Sequence, residues 1–397
     1  MSAPVQEKIP GRLGEMVAKM EALYADLDLA AVRDWKSRGQ NRRAVGFLPV
    51  YVPREVIHAA GALPVGIMGG ADRIEIVRGD SYFQSYICHL PRSVIELAVV
   101  GKLDALDGFV FPSICDVIRN LSGMFKLLLK DKFVHYLDLP QNFDRRLGGR
   151  FYIQDMQHLA QGIGRLTGVE VTDSALRASI KAFNHNRAAV RRLVAARSDR
   201  PWEVPTLEYF LLLRAGYLIP VEEHTALLDE YLELVGRSGR HMMDNVRVVV
   251  RGAFCEQPPL GLLRTLERAG CYVVDDDFVL GAHFIERDLD ERGDPWEALA
   301  EGFMEYSVPS ASKYDEHRTK GSELVRRVRD VRGEGVIFMA PSFCDPALLD
   351  QPMLAAALEK EHIAHTALKY SEDTGQFQVI REQAGTFADG LKLWSNA

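Results

Sequence analysis

The sequence predicts an α/β protein. It reads as two similar parallel-sheet lobes of Rossmann or flavodoxin-like type, with a helical insertion between them and a helix at the N-terminus. Three observations carry this. Short apolar segments of strand length alternate with helical periodicity over one stretch beginning at Gly46, and do so again from Val246. The intervening residues show helical periodicity only. The two alternating stretches also share wording: Phe109-Val110-Phe111-Pro112-Ser113-Ile114-Cys115-Asp116 in the first and Ile337-Phe338-Met339-Ala340-Pro341-Ser342-Phe343-Cys344-Asp345 in the second. A repeated Pro-Ser-x-Cys-Asp string at the same place in the strand order reads as a duplicated lobe. The expected boundaries are 1–40 for the N-terminal helical segment, 41–150 for the first lobe, 151–240 for the helical region and 241–397 for the second lobe with its C-terminal helix.

Taken in order, Leu13, Met16, Met20, Leu23, Leu27 and Ala30 recur at steps of three and four, which predicts one amphipathic helix over 12–36. Gly46 to Val52 predicts a buried strand stopped by Pro53, Arg54 to Ala60 a helix ended by Gly61, and Leu63 to Met68 a second strand. Strands at 109–111 and 133–137 follow, with helices at 91–100 and 117–129 between the strands. Thr172 is the expected cap of a long helix bearing Leu176, Ile180, Phe183, Val190 and Val194, and further helices are expected at 206–215 and 222–235. The basic run 187–197 shares that long helix with its apolar stripe, so it reads as a solvated face. In the second lobe, strands are expected at 246–250, 272–275, 336–339 and 363–367, a helix at 260–269 ended by Gly270, and a closing helix at 384–394.

Composition narrows the function. With 48 Lys and Arg against 55 Asp and Glu, the net charge is −7. Such a chain has no general attraction for phosphate backbones, so nucleic acid is not an expected partner. No apolar run is long enough to span a bilayer, and the first residues lack the apolar core of an export signal, so a cytoplasmic protein is expected. There is no Walker A string and no G-x-G-x-x-G, and the glycines at 162 and 164 stand in a helical context. The chain is therefore not expected to bind ATP or a dinucleotide itself.

The five cysteines are dispersed, unlike a disulfide framework. Cys115 and Cys344 are expected on turns from a strand into a helix, the place where parallel sheets bind ligands. Asp116 and Asp345 can cap those helices, and Pro346 suits a first helical position. Cys88, in Cys88-His89-Leu90-Pro91, opens another helix. A thiol at a helix N-terminus is expected to ionise more easily, which suits a nucleophile or a metal ligand. Cys271 reads as a core residue, and Cys255 follows the strand from Val246. No zinc or ferredoxin spacing is present, and a Cys–His hydrolase has no use for a duplicated cysteine loop. Three or four soft ligands from separate loops fit an iron–sulfur cluster held between lobes. His89 is the one histidine tied to these residues, as a proton donor or simply a neighbour. Arg381 is a candidate anion contact or a surface ion pair.

The Cys115-Asp116 and Cys344-Asp345-Pro346 loops, Cys88 upstream, and the tail from Gly375 to Trp394 together resemble the 2-hydroxyacyl-CoA dehydratase and benzoyl-CoA reductase family, from about residue 40 to the end. Length and tail look most like the gamma-subunit branch of the ATP-dependent benzoyl-CoA reductases. The resemblance implies a [4Fe-4S] cluster held by Cys88, Cys115 and Cys344, with a non-cysteine group, water or substrate at the fourth iron. It implies a homologous second subunit sharing the active site, ATP-hydrolysing activator-type iron–sulfur subunits that deliver electrons, and a CoA-thioester substrate. The expected reaction is reduction of the aromatic ring of benzoyl-CoA to a cyclohexadiene-carbonyl-CoA. The alternatives are a subunit of a 2-hydroxyacyl-CoA dehydratase and, from another class, a non-catalytic two-lobed small-molecule binding protein. Cys255 is one thiol beyond the implied set.

Overall fold

The structure, a computed structural model, describes residues 11–252, 254, 258–315, 319–371 and 376–395. Cys255, the start of the tail at Gly375 and the first ten residues, all drawn on above, lie outside them.

Two four-stranded, all-parallel sheets form the frame. The first contains β1 (Arg43–Phe47), β2 (Ala62–Gly66), β3 (Gly108–Pro112) and β4 (Phe133–Leu137), in the order β2-β1-β3-β4. The second contains β5 (Val246–Arg251), β6 (Cys271–Asp275), β7 (Gly335–Pro341) and β8 (Ala364–Tyr370), in the order β6-β5-β7-β8. The lobes match in register as well as order. Arg43 pairs with Ala62 as Val246 pairs with Cys271. Val45 pairs with Gly108 as Val248 pairs with Gly335, and Gly108 meets Phe133 as Gly335 meets Ala364. The return turns match too: Gly61 at φ 75° and Gly270 at φ 85° take the left-handed conformation that ends a helix and starts the second strand.

The strands are short and apolar because both faces are covered. Every residue of β2, β3, β6 and β7 is buried, while the edge strands β4 and β8 are partly open. On β3, Phe109 and Phe111 each place their ring centroid 4.9 Å from Phe125 of the helix Asp116–Leu128.

The structure corrects the sequence at three places. The helix expected over 12–36 is two, Arg12–Ala25 and Ala30–Ser37. Leu29 is left-handed (φ 55°), and the Asp26 carboxylate accepts the N–H groups of Ala30 and Ala31 at 2.9 Å, so a cap outcompetes a continuous helix. The first strand lies earlier than expected, and 48–53 form a buried loop. There Val50 and Tyr51 take φ 81° and 64°, and the Tyr51 hydroxyl donates to the Val308 carbonyl at 2.9 Å. The third correction concerns the basic run. Thr172 caps the helix Asp173–Asp199 as expected, its Oγ1 accepting from the Ala175 N–H at 3.2 Å. Arg191 and Arg192 pair at the surface with Asp288 and Asp229. Arg187 and Arg197, however, are buried. Arg187 binds Glu55 of the first lobe, and Arg197 binds Asp276 of the second while its guanidinium lies 3.5 Å over the Tyr209 ring. One 27-residue helix thus carries a buried ion pair to each lobe. Among the described residues, no helix is long and apolar enough to cross a membrane.

Candidate functional site

The two central strands β3 and β7 stop at proline, and the chain then turns into a helix. At both corners the serine after the proline donates its N–H to the last residue of the neighbouring edge strand: Ser113 to the Leu137 carbonyl at 2.9 Å, Ser342 to the Tyr370 carbonyl at 2.7 Å. Two residues later comes the cysteine, whose carbonyl accepts the first helical bond. The donors are Arg119 to Cys115 at 3.1 Å and Leu348 to Cys344 at 3.0 Å. Cys115 and Cys344 are therefore themselves the N-cap residues of the helices Asp116–Leu128 and Asp345–Lys360. Cys88 occupies the same position before the helix His89–Val99. The aspartates expected as caps are instead first-turn residues, and Pro346 sits in the first turn as expected.

All three N-cap cysteines line one cavity of about 590 Å³. It opens beyond the carboxyl ends of the strands, beside the points where strand order reverses in each lobe, as the ligand rule for parallel sheets requires. Cys344 is near enough to oppose ionisation of Cys115. Among the described residues, no three or more His, Cys, Asp or Glu are grouped so as to hold a single metal ion. A cluster spreads its ligands over several iron atoms and so takes sulfurs standing wider apart than one ion does. The donor set is of the right chemistry for such a group: three thiols, from three helix N-termini, lining one cavity.

Easier ionisation at a helix start does not hold for Cys115. Burial pushes its thiol above the ordinary range, against the opposing pull of the Ile118 and Val117 N–H groups, and Cys344 and Asp116 add to the rise. Desolvation outweighs the helix end here. A cationic iron centre would reverse that balance, since a coordinating thiol gives up its proton. Cys271, first residue of β6, is buried in the core with its thiol pushed up to about 12 by burial, which fits the core role expected of it.

His89 is buried and is not among the residues lining the cavity. Arg381 is exposed on the helix Phe377–Ser395, also away from the lining. The cavity wall holds residues that sequence reasoning did not single out. Tyr136 and Gln141 come from the end of β4 and its loop, where the strand-end rule could have found them. Lys320 and Asp350, paired at 2.6 Å, come from separate elements and carry no motif. Around the mouth stand the apolar Phe343, Leu349 and Met353, which are 52, 73 and 48% exposed.

Comparison with known proteins identifies relatives over nearly the whole chain. The family described as 2-hydroxyglutaryl-CoA dehydratase, D-component, matches residues 49–391. The chain is similar to a benzoyl-CoA reductase subunit of Thauera aromatica, with 49% identity over 96% of this chain and 99% of that protein. It is 29% identical to the (R)-2-hydroxyglutaryl-CoA dehydratase beta subunit of Acidaminococcus fermentans, over 90% of this chain and 94% of that one. It is 26% identical to the lactoyl-CoA dehydratase beta subunit of Anaerotignum propionicum, over 94% and 100%. These are subunits of enzymes, and the reading as a non-catalytic binding protein gives way.

Proposed function

This chain belongs to the family of the 2-hydroxyglutaryl-CoA dehydratase D-component, and from that premise we propose that it is the iron–sulfur subunit of a benzoyl-CoA reductase. The observation that carries the reading is that Cys88, Cys115 and Cys344, each at a helix N-cap, all line one cavity. These three would hold a [4Fe-4S] cluster. When bound, the cluster supplies single electrons at low potential.

The chain's own residues do the rest. The N–H groups of Val117 and Ile118 aim at the Cys115 sulfur and stabilise negative charge there, a lever on reduction potential. With the apolar mouth covered, the site would keep water from the reacting ring, so that protons arrive only where side chains deliver them. The thioester carbonyl lowers the cost of adding an electron to the ring, and the CoA moiety contributes binding energy away from it. Phe343, Leu349 and Met353 are the apolar surface that a homologous second subunit would cover at the mouth. The absence of a Walker A string fits a division of labour in which separate activator-type subunits hydrolyse ATP. The cytoplasm is the compartment proposed for this chemistry.

A second reading, a 2-hydroxyacyl-CoA dehydratase subunit, draws on the family description and the dehydratase relatives. The 49% identity to a benzoyl-CoA reductase subunit favours the first. Anaerobically prepared protein, co-expressed with its partner, should contain about four iron and four sulfide per cluster. Cys115→Ala and Cys344→Ala should lose most of that iron, and unchanged iron in both variants would overturn the cluster assignment. With activator and ATP, turnover of benzoyl-CoA rather than a 2-hydroxyacyl-CoA decides between the two readings.

A further inference from the structure

A second, smaller hollow of about 100 Å³ lies beside the cysteine cavity, inside the second lobe. It sits beyond the carboxyl ends of β5 and β7, between which the strand order reverses. Arg251 closes β5 and Ala340 lies near the end of β7, and both line it. The two hollows share wall residues: Phe254, Ala311, Tyr314, Lys320 and Asp350 line both. The Lys320–Asp350 pair, 2.6 Å apart, therefore stands at their junction.

The inner walls combine apolar surface from Phe338, Leu324, Leu354 and Ala347 with charged groups that already have partners. Arg251 binds Asp275. Lys313 donates to the carbonyls of Phe303 and Met304 and to Ser307 Oγ. Asp277 accepts the Gly252 N–H at 2.8 Å, and Glu323 lies 3.5 Å from Arg327. A ligand carboxylate entering here would have to pull a cation from its own partner, whereas a flat uncharged group can lie against the apolar part of the wall and leave those pairs intact. The size is of the order of an apolar cavity of about 150 Å³ that admits benzene in an engineered protein.

We propose that this inner pocket seats the acyl group of the thioester, specifically an uncharged ring, while the thioester and CoA remain in the cysteine cavity. This rests on the acyl-CoA reading above and adds to it a place and a chemical preference. The ring lies among Phe338, Leu324, Leu354 and Ala347, and the Lys320–Asp350 pair flanks the passage through which it enters.

The test is calorimetric titration of the co-expressed complex with benzoyl-CoA, acetyl-CoA and free CoA. Burial of a ring should give benzoyl-CoA at least about a tenfold advantage over acetyl-CoA. Ala347→Leu fills the pocket and should erase that advantage while leaving the binding of free CoA, which has no acyl group, unchanged. Leu354→Ala enlarges it and should raise affinity for 2-naphthoyl-CoA about tenfold, a gain that a misfolded protein cannot produce. An advantage for benzoyl-CoA that survives Ala347→Leu, with no gain in Leu354→Ala, overturns the pocket and leaves the acyl-CoA reading standing. Failure of the complex to bind any CoA thioester overturns both.

Discussion

The two cysteine corners share a skeleton and differ in one residue's fate. Both donate a serine N–H to the edge strand, and both open a helix on the cysteine carbonyl. Between serine and cysteine, however, the first corner places Ile114, 6% exposed, in the core. The second places Phe343 at φ 64°, 52% exposed, at the cavity mouth. The following residues diverge as well: Pro346 stiffens the second helix start, where the first has Val117 and Ile118 offering N–H groups to the Cys115 sulfur. Duplication has therefore kept the position of sulfur and released the residue beside it. A left-handed, non-glycine, outward aromatic is local backbone strain at the cavity mouth. Its counterpart is ordinary packing.

The harshest way to break this comparison is to unseat one corner's support. Arg197→Ala leaves the Asp276 carboxylate buried without its partner and should cost about 3–5 kcal/mol in urea unfolding. Burial opposes the charge of Arg197, yet Asp276 and Tyr209 hold its guanidinium above the usual range, so the pair is well matched. Burial and the nearby Arg54 hold the Arg187 guanidinium down, to about 9. Arg187→Ala strands the Glu55 carboxylate in turn, but removes a cation that burial already opposes, and should cost somewhat less, roughly 2–4 kcal/mol. Equal costs would mean that the lobes rest on the helix in the same way.

Acid tests the support both corners share. In the helical region His224 accepts from Asn186 at Nδ1 and, through Nε2, donates to the Leu212 carbonyl, and burial pulls its pKa down to about 4. An unfolded histidine takes its proton near 6.5. The stability from this neutral ring is thus complete above pH 6.5 and declines as pH falls toward 4, by about 3 kcal/mol in all. Urea midpoints at pH 7 and pH 5 should differ, and His224→Gln should flatten the slope. An unaltered slope in that variant removes the histidine from the account.

The mildest change sharpens the contrast most directly. Ile114→Ala should destabilise by about 2–4 kcal/mol through lost packing. Phe343→Gly relieves the left-handed backbone and should gain about 1 kcal/mol. Opposite signs at matched positions, read as shifts in the unfolding midpoint, are the expected result. Destabilisation by Phe343→Gly would make that residue structural after all.

Much of this frame is legible in the sequence because its signals are local. Strand length, the glycines at 61 and 270, and the cysteines after proline-terminated strands are read from a few neighbours, and they locate both corners. The break at Asp26 to Leu29 is also local, but its carboxylate cap competes with an unbroken apolar stripe, and periodicity alone follows the stripe. The loop at 48–53 looks like strand because its residues are apolar, yet Tyr51 is apolar for the sake of Phe284 and Phe303, residues of a distant segment. Arg187 and Arg197 look solvated until Glu55 and Asp276 arrive by tertiary packing. Lys320 and Asp350 become neighbours only when a loop and a helix of the second lobe pack together.

The long helix with two interior arginines has a consequence for how anything enters. Positions 187 and 197 stand ten residues apart, about 15 Å along the axis, and each is locked into a different half of the molecule. Parting the halves like a clamshell would strand a charge at one end or the other. Separation of the halves is therefore opposed at two positions of a single helix.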